Sequence, residues 1–388
     1  MAPSRDASPP LAGIVVLDLT RVLAGPFCTL LLLDLGARVI KVEHPERGDD
    51  ARHIGPWIGG RSAYFMSLNR GKESLALDLR DAEDRALFER LLERADVLVE
   101  NFRAGVLERL GFGWEAVHAR HPRLVYASTS GFGQTGPWAE RPAYDLVVQA
   151  LGGVMSITGQ PGSPPTRVGT SIGDLGAALF TAVGILAALH RRARTGEGSR
   201  IDVAMLDCQV ALLENAIARY AASGEVPGPL GSRHPSIAPF EAYPSADGHV
   251  VVAVGNDALF YALADALECP RLAADPRFAG NAARAQNVEA LRDELSELLR
   301  ARPTAHWLVR LEAAGIPCAP IQDVGQVLAH PQVRARNMVV HVEDSAGRLP
   351  VAGNPIKIAG VPDPATRGIV PALDADRARI LAWLDEAP

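Results

Sequence analysis

Residues 14–43 decide the fold: Ile14-Val15-Val16-Leu17-Asp18-Leu19, then Gly25-Pro26 leading into the apolar stretch 27–35, a stop at Gly36, and Val39-Ile40-Lys41-Val42-Glu43. The first run lacks the polar alternation of a half-exposed strand, so it reads as a strand buried on both faces of a parallel sheet. The second run repeats it after one helix length. Outward from there the pattern persists: 74–79 reads as a third strand, 81–94 as a helix, Val97-Leu98-Val99-Glu100 as a fourth strand and 124–128 as a fifth. Repeated strand–helix units predict an α/β fold with a helix-covered parallel sheet and a ligand at the carboxyl ends of the strands.

Beyond Gly136-Pro137 the character changes. Long apolar helices are expected over 174–192 and 203–222. The Gly- and Pro-rich stretch 223–235 marks a boundary. Residues 240–254 read as a hairpin turned by Ala246-Asp247-Gly248, followed by helices to 314, an extended return from Gly315 and a last helix near 374–384.

The 388 residues are 48% hydrophobic and 22% charged, which suits a soluble two-domain protein. A net charge of -6 gives no reason to expect a nucleic-acid partner. Cys28, Cys208, Cys269 and Cys318 stand far apart without a CxxC, which argues against a zinc ribbon or a disulfide scaffold and for a reduced, cytoplasmic compartment. Residues 1–10 read as a disordered lead and not a signal peptide. The apolar stretch 180–189 falls short of the roughly 18–20 residues a membrane span needs, so no membrane partner is expected.

Two motif matches compete for the function. Gly131-Phe-Gly133-Gln-Thr-Gly136 fits GxGxxG, but Pro137 interrupts the helix that a dinucleotide fingerprint opens, and no acid follows near 150–160; a glycine-rich turn is the better reading. Gly169-Thr-Ser171-Ile-Gly173 fits GxSxG, so a serine hydrolase competes, although the expected helix begins three residues late and Pro164-Pro165 spoils the preceding strand. Asp174 reads as the N-cap of the 174–192 helix, where the helix end favours an ionised carboxylate available as a nucleophile.

An ordered set of short segments then matters more than any one of them: Asp18-Leu-Thr-Arg-Val-Leu-Ala-Gly-Pro26, Gly36-Ala-Arg-Val-Ile-Lys-Val-Glu43, Val99-Glu-Asn-Phe102, Gly131 to Pro137, Ala143-Tyr-Asp145, Gly173-Asp-Leu-Gly-Ala177, His234-Pro-Ser-Ile-Ala-Pro239, Asp247-Gly248, Gly255-Asn256 and Ala314-Gly-Ile-Pro317. From about residue 11 to 360 the chain resembles the family III CoA-transferases, which include formyl-CoA transferase, the carnitine CoA-transferases and the 2-methylacyl-CoA racemases. The resemblance implies a Rossmann-like large domain with a smaller α+β domain: 11–200 for the first part of the CoA-binding domain, 201–227 a helical linker, 228–325 the small domain, and 326–388 the return linker and the rest of the large domain. It also implies an interlocked, ring-like homodimer.

The same resemblance implies a CoA thioester as co-substrate, no permanently bound cofactor or metal, and Asp174 as the nucleophile, passing through an aspartyl mixed anhydride and an aspartyl-CoA thioester. Carried over by position, the CoA contacts fall at Leu23, Ala24, His44, Leu77, Asp78, Leu79, Arg80, Asn101, Phe102, Arg103, Arg109 and Tyr144. Leu23, His44 and Pro142 depart from the glutamine, arginine and lysine of the formyl enzyme, and its glycine-quartet loop is missing. Racemases have a His-Asp pair where this chain has Tyr144-Asp145, and tyrosine is a poor partner base near neutral pH. A CoA-binding protein without turnover remains a further alternative. Residues 18–27, 48–50 and 234–239 look most like the succinyl-CoA:glutarate transferase group. A dicarboxylate acceptor needs a cation for its second carboxylate, and Arg21, Arg52 and Arg233 are the candidates, Arg21 first.

Overall fold

The computed structural model describes residues 8–344 and 347–387. Six strands form the main sheet: β1 (Val15–Asp18), β2 (Arg38–Glu43), β3 (Glu73–Ala76), β4 (Val97–Glu100), β5 (Val125–Ser130) and β6 (Arg200–Ala204). They are parallel throughout and run β3-β2-β1-β4-β5-β6 across the sheet. This is the doubly wound order, whose direction reverses between β1 and β4. There the connections leave on opposite faces and open a crevice beyond the strand ends.

Both faces are covered, which is why the strands are written as apolar runs. On one face Val16, Val39, Val97 and Val99 meet Cys28, Leu31 and Leu32 of α1 (Ala24–Asp34). On the other, Leu17, Ile40, Leu75 and Leu98 meet Phe88, Leu91 and Leu92 of α2 (Ala82–Arg94) and Ile380 of the helix Arg377–Asp385. The α2 start is capped by Asp81, which accepts from the N–H groups of Glu83 and Asp84.

After β5 the chain forms α3 (Asp145–Leu151) and α4 (Ile172–Thr195). By length and composition alone α4 would reach across a membrane. Its small face, Ala178, Ala182, Ile185 and Ala188, packs into the same core as α1, while Leu179, Phe180 and Val183 on the other side are exposed.

Two expectations change here. Ser171, not Asp174, occupies the N-cap of α4, so Asp174 lies in the first turn. The single helix expected over 203–222 is three elements: edge strand β6, then α5 (Met205–Leu212) and α6 (Asn215–Ser223). The alternation of Arg200-Ile-Asp-Val-Ala suits an edge strand, and Glu214 at φ 48° breaks the helix.

The chain divides into two compact units, one comprising residues 1–155, 167–225 and 331–388, the other 156–166 and 226–330. The second unit is built on the antiparallel strands Phe240–Pro244, His249–Ala253 and Cys318–Pro320. Its core gathers Tyr243, Val250, Val252, Phe260, Leu295 and Trp307. The return beyond Pro320 is helical before it is extended, through Val324–Ala329 and Pro331–Ala335.

Candidate functional site

Beyond β1 the chain runs Leu19-Thr20-Arg21-Val22-Leu23 into α1, and beyond β4 it runs Asn101-Phe102-Arg103. Three cavities open around these two exits. One of about 310 Å³ is lined by His44, Leu77, Asp78, Leu79, Arg80 and Phe102. A second of about 390 Å³ is lined by Phe102, Arg103, Arg109 and Glu140. The third, about 200 Å³, is lined by Leu23, Ala24, Asn101, Arg103, Tyr144 and Asp174. Arg21 lines all three. The twelve positions expected around CoA thus lie on adjoining walls at the switch point of the sheet, and Asp174 stands in the smallest chamber.

The three arginines considered for a second carboxylate separate. Arg21 is exposed, 3.2 Å from Asp50, with its guanidinium 5.4 Å from the centre of the Phe102 ring. Arg52 lines none of these cavities. Its guanidinium grips both oxygens of buried Glu43 at 2.7 Å, donates to the Pro371 carbonyl and lies over Phe65. That is a structural commitment. Arg233 belongs to the second unit.

Asp174 owes its setting to Asp145, the first residue of α3. Asp145 Oδ1 accepts the Gly173 N–H at 2.8 Å, and Oδ2 accepts from Gln149 Nε2 at 2.8 Å. Gln149 Oε1 in turn accepts the Val168 N–H at 2.9 Å. A side chain at Gly173 would put Cβ 2.7 Å from Val148 Cγ2 and 2.9 Å from Asp145 Oδ1, so this approach requires glycine. The first turn of α4 is pinned from beneath.

Burial first, and then the nearby Asp145 charge, push the Asp174 carboxyl up to about 7. The expectation that the helix end alone keeps this carboxylate ionised is therefore corrected: desolvation outweighs the helix end at this site. Tyr64, which no motif marked, belongs to the same field. Burial, then the charges of Asp174, Asp49 and Asp145, push its phenol up to about 12.

The competing motifs are placed as well. No helix opens at Gly136; the chain stays irregular until α3 at Asp145. Helix α4 begins at Ile172, directly behind Ser171 and nearer than expected, but no strand precedes Ser171, as a nucleophile elbow requires. Among the described residues no group of three or more His, Cys, Asp or Glu is placed to hold a metal ion.

The model of CoA-transferase family III matches residues 11–377. The chain belongs to CoA-transferase family III. Among the relatives of this CoA-transferase, the acetyl-CoA:oxalate CoA-transferase of Acetobacter aceti is 48% identical over 96% of this chain and 95% of the relative. The succinate–glutarate CoA-transferase of Agrobacterium fabrum is 40% identical over 97% and 96%. The crystal structure of a CAIB/BAIF family protein from Brucella suis superposes with a TM-score of 0.86 at 41% identity, covering 97% of this chain and all of that one.

Proposed function

We propose that this CoA-transferase moves CoA from a dicarboxyl-CoA such as succinyl-CoA to a carboxylic acid acceptor, with Asp174 as the nucleophile. The observation that carries the reading is the junction at Arg21. A small chamber holding a half-buried carboxylate adjoins two larger cavities walled by Arg80, Arg103 and Arg109, cations suited to the phosphates of CoA.

Ionised Asp174 attacks the thioester carbonyl, the C–S bond breaks, and CoA leaves as thiolate from an aspartyl–acyl anhydride. The thiolate then attacks the aspartyl carbonyl, releasing the donor acid and leaving aspartyl-CoA. The acceptor carboxylate displaces CoA to form a second anhydride. Thiolate attack on the acceptor's carbonyl gives the new thioester and returns Asp174. One thioester replaces another, so the balance is near even, and the protein's task is to exclude water and stabilise oxyanions. The chamber of about 200 Å³ is lined by polar groups, Arg21, Asn101, Thr129 and Ser130 among them, beside apolar Leu23, Ala24 and Met205.

Arg21 is the group we assign to the second carboxylate, because it alone of the three arginines considered lines the Asp174 chamber. The oxalate and glutarate named for the two relatives are dicarboxylates, which supports this choice. Position 144 holds a tyrosine where the racemases have the histidine of a His-Asp pair, which favours transfer over racemisation. We also propose an interlocked homodimer. Leu179, Phe180 and Val183 of α4, Val210 of α5, and Ile217 and Tyr220 of α6 are exposed apolar side chains that a second copy would cover. Four free cysteines support a cytoplasmic location.

The deciding experiment is trapping. Incubation with succinyl-CoA and hydroxylamine should modify Asp174 and no other residue, and Asp174→Ala should abolish transfer while Ser171→Ala keeps most of it. An inactive Ser171→Ala beside an active Asp174→Ala would overturn the mechanism.

A further inference from the structure

Val22 stands at φ 67°, in the left-handed region that a β-branched residue rarely enters. It lies in the loop that carries Arg21 to the chamber and delivers the chain into α1. Such a conformation persists only where the surroundings hold it. Here the holds are visible.

The side-chain amide of Asn101 grips Arg21 on both sides, accepting its N–H at 2.9 Å and donating to its carbonyl at 2.8 Å. Asp49 Oδ1 accepts the Val22 N–H at 2.9 Å. Lys41, fully buried, donates to the Thr20 carbonyl at 2.7 Å and pairs with Asp49 Oδ2 at 2.8 Å. Asp49 is itself anchored, its N–H donating to Glu43 Oε2 at 2.9 Å. Three successive residues of one loop are thus tied by side chains from β2, from the segment after it and from the end of β4.

We propose that Asn101 and Asp49, with Lys41 behind Asp49, are positioning residues that hold the 20–23 loop in its strained form and so aim Arg21 and the start of α1 at the Asp174 chamber. Helix α1 has no capping side chain at Leu23, and Leu23 and Ala24 line that chamber. This inference rests on the transferase reading for what the loop serves, but the hold itself is a property of the loop. It also adds a role for Asn101: one N–H and the oxygen of its amide are engaged by Arg21, at a position where the resemblance implies a CoA contact.

The test is Asn101→Ala, alone and combined with Val22→Gly, in the full chain. Asp49→Ala takes the ion-pair partner at 2.8 Å from buried Lys41 and threatens folding, so Asn101 is the better probe. In Asn101→Ala the amides of residues 21 and 22 should exchange with solvent about tenfold faster or more, read by hydrogen exchange. The kcat of CoA transfer should fall by about tenfold or more, with KM for the CoA thioester within about threefold, because a small misplacement near the reacting atoms costs rate and leaves ground-state binding. Glycine enters the left-handed region freely, so adding Val22→Gly should restore most of the lost kcat. A raised KM with unchanged kcat, no rescue by glycine, or fast exchange of these amides in the unaltered protein would each overturn the proposal. Absence of any CoA exchange by the unaltered enzyme would instead refute the transferase reading, and amide exchange alone would then decide the hold.

Discussion

Asp174→Asn should make the protein more stable, and increasingly so as pH rises. The Asp174 carboxyl stands at about 7 against an ordinary 3.8, through burial first and the Asp145 charge second. At 1.36 kcal/mol per unit, that gap sets a cost of about 4 kcal/mol for holding the group ionised in the fold. The first turn of a helix typically favours a carboxylate by only about 0.3–1 kcal/mol, too little to reverse this cost. The folded value lies above the unfolded one. The contribution of Asp174 to stability is therefore fully present below pH 3.8 and is lost as pH rises through about 7.

Asparagine has no charge to bury and keeps the size of the side chain. Its advantage over the parent should grow by about 2–3 kcal/mol between pH 5 and pH 8, the part of the titration that falls in that window. The assay is urea unfolding of both proteins at the two pH values and matched concentration, beside a transfer assay in which Asp174→Asn is inactive. In the parent, kcat/KM should rise about tenfold from pH 6 to pH 8 as Asp174 ionises. A stability difference that is flat with pH, or that shrinks as pH rises, would refute the argument that this carboxylate is held ionised against its surroundings.

Other outcomes follow from the same geometry. Arg21→Met should raise KM for succinate and glutarate by about tenfold or more, and more than it raises KM for a monocarboxylate acceptor, and equal turnover of butyrate and succinate by the parent would remove the dicarboxylate assignment. Arg52→Met, by contrast, should lower stability by about 2–3 kcal/mol without a diacid-specific effect, because it removes the two-pronged cation from buried Glu43. A 2-methylacyl-CoA incubated in deuterated water should stay unlabelled at its α-carbon; rapid labelling would place the enzyme with the racemases. Sedimentation at micromolar concentration should show a dimer, and a reversible monomer there would contradict interlocking.

What the sequence disclosed and what it hid divide along a physical line. Strands buried on both faces are mostly apolar without alternation, so β1, β2 and β4 could be read directly despite buried Asp18, Lys41, Glu43 and Glu100, as could the hairpin at 246–248. Strand β6 escaped because an edge strand alternates, and Arg200-Ile-Asp-Val-Ala ahead of an apolar helix merges with it by eye. The residues that the family segments single out come together around three adjoining cavities, since local motifs travel with the exits of β1 and β4. Contacts across the fold left no such trace. Nothing in the spelling of Arg21 and Arg52 says that Glu43 takes one and leaves the other at the chamber.

The depth of Asp174 was hidden for the same reason. A capping acid and a buried acid are spelled alike, and only the approach of Asp145 to Gly173, 28 residues apart, reveals which this is. That contact has two opposed effects on one group. Its hydrogen bond fixes the turn that presents the Asp174 carboxylate, and its charge resists the ionisation that the attack requires. The arrangement suits the mechanism proposed above, in which Asp174 must also become a neutral ester-like carbonyl in its anhydride and thioester forms. A site that penalises the free carboxylate relatively favours the acylated states, and so lowers the climb to each covalent intermediate.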